Sequence, residues 1–157
     1  MMKKDIYSLS FTTGGLFHQE SLILARLFVD ANDWDRVRVR DRVQSENLLQ
    51  SRTLTTSKRF CSEIISRVKT LEQSELDLLI YGSMQEQKYL LWIAVCRRYR
   101  FIAEFAEEVV RERYIGLKHD LHYVEFDFFF HKKSEWHPEL EAIALTTRKK
   151  LRQVLFK

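Results

Sequence analysis

The sequence predicts an all-α protein, with a single globular domain of about eight helices around a buried central helix at residues 84–100. One proline and four glycines in 157 residues leave few residues that interrupt helices. Apolar residues make up 45% of the chain, which is enough to form a sizeable core. Tyr89 to Cys96 form a run of eight residues without charge or amide, and a helix that is apolar on every side must be buried on every side.

The central run is too short to span a bilayer, and its apolar pattern alone also allows a buried strand. Its flanking residues favour a helix. Ser83 and Glu86 have the spacing of a capping box, in which a hydroxyl and a carboxylate bind each other's backbone N–H groups. The arginines at 97, 98 and 100 lie where cations stabilise the end of a helix dipole.

The first 15 residues lack a helical period and predict an extended arm. Tyr7, Leu9 and Phe11 alternate with serines, so we expect the aromatic side chains to pack on the core. The glycine pair at 14–15 predicts a hinge, because no phosphate-loop pattern follows it. A helix is then predicted over residues 17–31. Its buried face is expected to contain Leu22, Ile23, Leu27 and Phe28.

Four arginines follow at alternate positions. Asp33 can cap the next helix and Trp34 can anchor it. Alternate residues spread around a helix, so they do not form one stripe. These side chains could bind phosphate or could form a solvated face; they are Arg36, Arg38, Arg40 and Arg42.

Residues 43–71 predict a helix-turn-helix-like unit. A short helix over 43–50 is interrupted at 51–54, and Thr55 or Thr56 then caps a helix that runs to about Leu71. One face of that helix is expected in the core and consists of Phe60, Cys61, Ile64, Val68 and Leu71. The other face is basic and hydroxylic, with Glu63 only at its margin, and consists of Lys58, Arg59, Ser62, Ser66 and Lys69.

Besides the central helix, four further helices are predicted before the last one. The first covers 74–81, with Ser74 as its cap and Gly82 as a left-handed stop. The second covers 101–114, with an acidic outer face and an inner face of Phe101, Phe105, Val109 and Val110. Residues 123–134 alternate at first like a strand, but we predict a helix there. A short helix over 138–144 follows, because Pro138 suits the first position of a helix.

The last helix is predicted to begin at Thr146 or Thr147 and to complete a second helix-turn-helix-like unit near 138–157. Five cations and no acid lie between 147 and 157, so this helix has no local counter-charge. Phosphate binding and a solvated face both explain such a pattern, and membrane binding is a weaker alternative.

No motif in the sequence predicts catalysis, a metal site or a cofactor. Glu86 and Lys88, with Asp77 upstream, only superficially match a nuclease pattern, since they fall on helices. The histidines near 119–137 lack the spacing of a zinc site, and no glycine-rich nucleotide loop is present. Cys61 and Cys96 are expected to be reduced core thiols of a cytoplasmic protein. The net charge of +4 hints at an anionic partner.

The sequence resembles the BrxA family, a core component of the BREX bacteriophage-exclusion systems. The resemblance covers almost the whole chain. It includes Tyr7-Ser-Leu-Ser-Phe-Thr-Thr-Gly-Gly-Leu16, Glu46-Asn-Leu-Leu-Gln50, Lys58-Arg59, Gln85-Glu-Gln-Lys-Tyr-Leu-Leu-Trp92, Cys96-Arg-Arg-Tyr-Arg-Phe-Ile102 and Thr147-Arg-Lys-Lys-Leu-Arg-Gln-Val-Leu155. It implies a small all-α monomer whose basic patches bind double-stranded DNA within a multi-protein defence system. The family has no catalytic motif to transfer.

We therefore expect a non-enzymatic DNA-binding protein that contacts mainly phosphate through basic helix N-termini. The predicted contacts are Arg52, Thr55, Thr56, Ser57, Lys58, Arg59, Ser62, Lys69, Thr147, Arg148, Lys149, Lys150 and Arg152. Glu63 and Asp41 are expected to weaken the first group. The alternative is a scaffold for other BREX proteins, with the basic faces bound to acidic partners.

Overall fold

The computed structural model describes residues 6–12, 15–30 and 36–156, and over these ranges the chain is helical with no β-strand. The predicted all-α class is therefore confirmed. The chain divides into two compact units, one of residues 16–98 and one of residues 1–15 with 99–157. The expectation of a single domain stays a prediction, and each unit is described by itself.

The unit of residues 16–98 contains five helices within its described part, and α3 packs against three of them. The helices are α1 (His18–Asp30), α2 (Arg36–Ser45), α3 (Leu54–Val68), α4 (Gln73–Tyr81) and α5 (Met84–Arg98). Helix α3 contacts α1, α2 and α5. Its predicted inner face is confirmed for Cys61, Ile64 and Val68, which are fully buried.

Helix α5 starts at the predicted residue but ends at Arg98 and not at 100, and it contacts α1, α3 and α4. Its capping box is confirmed. The Ser83 N–H donates to Glu86 Oε2 at 2.7 Å, and the Glu86 N–H donates to Ser83 Oγ at 3.3 Å. Burial on every side is not observed, because Tyr89 and Ile93 are 61% and 38% exposed. The helix is therefore buried along one face only.

Three other predictions for this unit are wrong. The helix before α3 is Arg36–Ser45, not 43–50, and residues 46–49 form turns in which Asn47 adopts a φ of 45°. Helix α4 starts one residue early, with Glu72 and not Ser74 at its cap. Gly82 is not left-handed, since its φ is −74°; a side chain there would meet the Leu78 carbonyl. Asp33 and Trp34 lie outside the described residues.

The second unit is built around aromatic side chains. Its elements are a 3₁₀ helix (Ser10–Thr12), α6 (Arg100–Phe105), a π-helical turn (Ala106–Val110), α7 (Arg111–Ile115), α8 (Tyr123–Ser134), α9 (Pro138–Glu141) and α10 (Leu145–Leu155). The prediction of a helix over 123–134 is confirmed at both ends. Phe101 lies at the centre, with its ring centroid 5.2 Å from that of Phe129 and 6.0 Å from that of Phe126.

The aromatic residues of the N-terminal arm pack in this core as predicted. Tyr7 and Phe11 are buried, and the Phe11 ring lies 5.2 Å from the Tyr99 ring. The Tyr7 hydroxyl donates to Glu104, and the Tyr7 N–H donates to Glu139 Oε1 at 3.0 Å. These polar contacts fix the arm. The Gly14 part of the predicted hinge lies outside the described residues.

The π-helical turn at 106–110 overturns the predicted inner face of the helix over 101–114. Phe101 and Phe105 are buried as expected, but Val109 is only half-buried and Val110 is exposed. A π-turn contains an extra residue, so the positions after it rotate away from those that an α-helix predicts.

Within the described ranges, none of the helices combines the length and the apolar character that a bilayer crossing requires.

Candidate nucleic-acid interface

The N-terminus of α3 is capped by Thr53. The Thr53 side-chain oxygen accepts a hydrogen bond from the Thr56 N–H at 3.1 Å, and the helix begins at Leu54. The prediction that Thr55 or Thr56 caps this helix is therefore wrong by two or three residues. Thr53, Thr55 and Thr56 all have a hydroxyl that could cap the helix. Thr53 is the cap because its backbone is extended, as that of an N-cap residue is.

Most predicted contact residues around α3 lie on its exposed side. No acid occurs in the first turn of the helix, so its positive end is not neutralised locally. Thr56 is half-buried. Ser57 is only 3% exposed, so the prediction that it contacts a ligand from the surface is wrong. The exposed residues are Arg52, Thr55, Lys58, Arg59, Ser62 and Lys69.

Glu63 does not lie at the margin of the basic face, as the sequence suggested. Its side chain is buried, and Arg67 Nε donates to Glu63 Oε1 at 2.9 Å. Both members of this ion pair are less than 10% exposed. Since Glu63 is the only acid of α3, its inward position removes a carboxylate from the exposed face.

Helices α2 and α3 pack together across the turn at residues 46–53. Arg40 on α2 donates from Nη2 to Ser62 Oγ on α3 at 3.2 Å, so the Ser62 hydroxyl already has a protein contact. Arg42 pairs with Glu46 at 3.3 Å. The unit has a helix, a turn and a second helix, but the turn is longer than the three or four residues typical of DNA-binding examples. Asp41 is exposed on α2, and its effect on the patch stays a prediction.

The second predicted surface is helix α10. The helix begins at Leu145 with Ala144 at its N-cap position, and no side chain caps it. The prediction that Thr146 or Thr147 is the cap is therefore wrong. Leu151 and Val154 are buried, which leaves Thr147, Lys149 and Lys150 exposed. Helix α10 also has no acid in its first turn.

Two arginines of α10 have a counter-charge that the sequence did not predict. Arg152 Nη1 donates to Asp127 on α8 at 2.9 and 3.1 Å, and Arg148 Nη2 lies 3.7 Å from the same carboxylate. The Arg152 guanidinium lies over the Tyr123 ring at 4.4 Å, and that of Arg148 lies over Phe130 at 4.6 Å. Both guanidinium groups are therefore held against α8.

An open groove of about 410 Å³ lies beside these arginines. Lys149 and Lys150 supply its positive charge, and Tyr123 supplies an aromatic ring. Its remaining lining residues are Thr146, Arg152 and Gln153. A groove with cations and one aromatic ring suits an anionic partner.

The described residues contain no group of three or more histidine, cysteine, aspartate or glutamate side chains that could hold a metal ion. Cys61 and Cys96 are free thiols. Burial raises the pKa of the Cys61 thiol, although the nearby Arg40 opposes this rise, and burial raises the pKa of Cys96 to about 11. Neither group is therefore an activated thiolate at neutral pH.

A family model described as BrxA matches residues 5–157, almost the whole chain. The chain belongs to the BrxA family. This confirms the resemblance found in the sequence, and with it membership of a family of the BREX phage-defence system.

Two curated relatives carry the name BREX protein BrxA. The one from Escherichia coli O9:H4 (strain HS) is 28% identical over 143 residues, which cover 90% of this chain and 66% of the relative. The one from Bacillus cereus (strain H3081.97) is 23% identical over 158 residues, which cover 98% of this chain and 76% of the relative. The BrxA chain described here thus spans about two thirds to three quarters of their lengths.

A solved structure has a similar fold. The crystal structure of an uncharacterized protein from Magnetospirillum magneticum matches 96% of this BrxA chain and 76% of its own chain. The TM-score is 0.79 and the sequence identity is 21%, so the likeness concerns the fold alone.

Proposed function

We propose that this BrxA-family chain is a non-enzymatic double-stranded DNA-binding component of BREX phage defence, which contacts mainly phosphate. One observation carries the proposal. Helices α3 and α10 both begin without an acid in the first turn and both have exposed cations close to that turn. Backbone N–H groups and positive side chains at a helix N-terminus are suited to phosphate oxygens.

The burial of Glu63 supports the first of these surfaces. Glu63, the only acid of α3, is buried and accepts a hydrogen bond from Arg67, so its carboxylate does not lie among the exposed side chains of this surface. Helix α3 also contains no asparagine or glutamine, the side chains that read adenine in the major groove. We therefore expect weak sequence preference at this surface.

The second surface has two kinds of cation. Lys149 and Lys150 are exposed, whereas Arg148 and Arg152 are held by Asp127 and by aromatic rings. A guanidinium that already has a carboxylate partner releases fewer counterions when it meets a phosphate. The lysines are therefore the expected phosphate contacts of α10, and the arginines have a supporting role.

The proposal is tested by measuring the affinity for a random duplex of about 30 base pairs across a salt series, in which each lost phosphate contact flattens the log–log slope by about 0.9. The variants are Lys58→Ala/Arg59→Ala and Lys149→Ala/Lys150→Ala. The matched control is Arg26→Ala/Lys88→Ala, which removes the same charge from exposed positions on α1 and α5. We expect both test variants to lose affinity and slope, while the control retains them.

Two results would overturn the proposal. The first is no binding by the wild type at low salt, in which case a scaffold for other BREX proteins becomes the better hypothesis. The second is an equal loss in the control, which would show that net charge alone causes the binding.

A further inference from the structure

An apolar groove of about 450 Å³ runs between the π-helical turn with α7 and helix α8. Val109 and Phe129 line it, together with Val124 and Phe128 of α8. Phe128 is 74% exposed, although a phenylalanine on a helix of this unit would ordinarily face the aromatic core. The groove therefore displays a large apolar side chain that the unit itself does not cover.

Further large hydrophobic side chains are exposed in the same part of the sequence. Large hydrophobic side chains are exposed throughout residues 110–128, a segment that runs from the π-turn to the middle of α8. Val124 and Phe128 of this segment line the groove itself, and exposed apolar surface can mark a site of interaction on a protein. These side chains are Val110, Tyr114, Ile115, Leu117, Leu121, Tyr123, Val124 and Phe128.

Both cations that line the groove have acidic neighbours, although Lys132 shares Glu108 with Lys133, whose Nζ lies 2.6 Å from Glu108 Oε1. Arg113 pairs with Asp120 at 2.7 Å and with Glu125 at 2.9 Å. Lys132 lies 3.6 Å from Glu108.

The acids at the same edge are less fully matched. Glu112 lines the groove, is exposed, and makes no ion pair within the described part of the chain. Glu107, which precedes the lining residue Glu108 but does not itself line the groove, has only a long contact of 3.9 Å with Arg111. The edge of an apolar groove thus presents unmatched negative charge.

We infer that this groove binds a segment of a partner protein that carries an apolar anchor residue and, about one helical turn away, a lysine or arginine. The anchor packs between Val109 and Phe128, and the cation pairs with Glu112. A second copy of this chain is a poor occupant, since a two-fold contact would place the same acidic edge on both sides. The inference does not depend on DNA binding, because the groove itself would repel phosphate.

The test begins with selection of peptides from a displayed random library on the wild-type protein. Each enriched peptide is then synthesised and its affinity measured by fluorescence anisotropy. We expect the enriched peptides to combine a leucine or aromatic residue with a nearby lysine or arginine. Phe128→Asp should weaken their binding by about tenfold or more, as loss of a central apolar contact does.

Glu112→Lys gives the sharper result. Selection repeated on this variant should enrich acidic residues in place of the basic ones, while the apolar anchor is retained. His131→Asp is the matched control for Phe128→Asp, since it places the same charge on α8 at an exposed position that does not line the groove. It should bind the peptides like the wild type.

Three results would overturn the inference. The first is that the enriched peptides lack the combination of an apolar anchor with a nearby lysine or arginine. The second is that the peptides bind Phe128→Asp as tightly as the wild type. The third is that light scattering shows self-association of the wild type, which Phe128→Asp abolishes. The last result would assign the groove to a second copy. Circular dichroism and thermal unfolding check that each variant is folded. Phe128→Asp should bind duplex DNA like the wild type. A failure of the peptide-binding inference can therefore be distinguished from a failure of the DNA-binding proposal.

Discussion

Asp127 on α8 accepts two hydrogen bonds from Arg152 on α10, with Nη1 at 2.9 Å from Oδ2 and 3.1 Å from Oδ1. The same carboxylate lies 3.7 Å from Arg148. One acid on a neighbouring helix therefore balances two of the cations that, in the sequence, have no counter-charge nearby.

Replacing Asp127 with asparagine should strengthen duplex binding. The change frees Arg148 and Arg152 from their carboxylate partner, so both can meet phosphate. The log–log salt slope should steepen by about 0.9 for each arginine that joins the contact. Titration of the variant and the wild type against the same duplex measures both quantities. Weaker binding by Asp127→Asn would show instead that the carboxylate positions the arginines for the DNA.

The buried pair of Glu63 and Arg67 should be important for stability. Arg67→Met removes the hydrogen bond from Arg67 to the buried Glu63 carboxylate and should cost about 3 kcal/mol of the free energy of unfolding. The double variant Glu63→Leu/Arg67→Met should recover part of that loss, because no buried charge remains. Urea denaturation of the three proteins gives the comparison.

The exposed pair of Arg42 and Glu46 is the control for that experiment, since its members are also four residues apart, with Arg42 on α2 and Glu46 in the turn that follows. Arg42→Met should cost less than about 1 kcal/mol, because exposed ion pairs contribute little. Equal losses for Arg42→Met and Arg67→Met would contradict the role of burial.

Ser57→Ala should leave DNA binding unchanged and should not destabilise the protein. The Ser57 hydroxyl is buried without a hydrogen-bond partner among the described residues, so its removal relieves a desolvation cost of about 1 kcal/mol. Thr53→Ala makes a useful comparison, because loss of that cap should destabilise α3 by about 1 kcal/mol. Thermal unfolding separates the two, and a lower midpoint for Ser57→Ala would contradict the expectation.

Glu75 should make stability depend on pH below the neutral range. Its carboxylate accepts hydrogen bonds from Arg97 at 2.7 and 2.8 Å and from the Glu72 N–H at 2.8 Å, and these bonds lower its pKa from 4.5 to about 2. A lowered pKa means that the folded state favours the charged form. The stabilisation is therefore complete above the ordinary pKa and is lost as the pH falls from 4.5 towards 2.

The measurement is the unfolding midpoint of wild type and Glu75→Gln between pH 2 and pH 7. The wild type should be the more stable protein at pH 7, and the difference should shrink through the acid range. A difference that stays constant with pH would show that the carboxylate charge contributes nothing to stability.

Local chemistry was sufficient to predict much of the fold. The capping box of Ser83 and Glu86 fixed the start of α5, and Pro138 fixed the start of α9. Both signals act within one helical turn, so they do not depend on the rest of the chain. The inner face of α3 was also predicted, because a repeat of apolar residues determines which side of a helix is buried.

The candidate site was less predictable, since its electrostatics depend on tertiary contacts. Asp127 precedes Arg152 by 25 residues, and only the packing of α10 beside α8 brings them together. Helical spacing places Glu63 close to the basic face, yet the side chain turns inward to Arg67. A helical-wheel projection shows in which direction a side chain points from the helix. It does not show whether a charged residue at the border of a face, such as Glu63, has a buried partner elsewhere in the fold.

The π-helical turn at 106–110 makes the second unit sensitive to chain length at one place. A substitution there keeps the helical phase, whereas deletion of a single residue would convert the turn to α-helix and rotate α7 by about 100° about its axis. Arg113 would then point away from Asp120 and Glu125, which hold the loop after α7. Loss of one residue at this turn would thus displace both the loop after α7 and the apolar groove, whereas a conservative substitution in the turn would leave the direction of α7 unchanged.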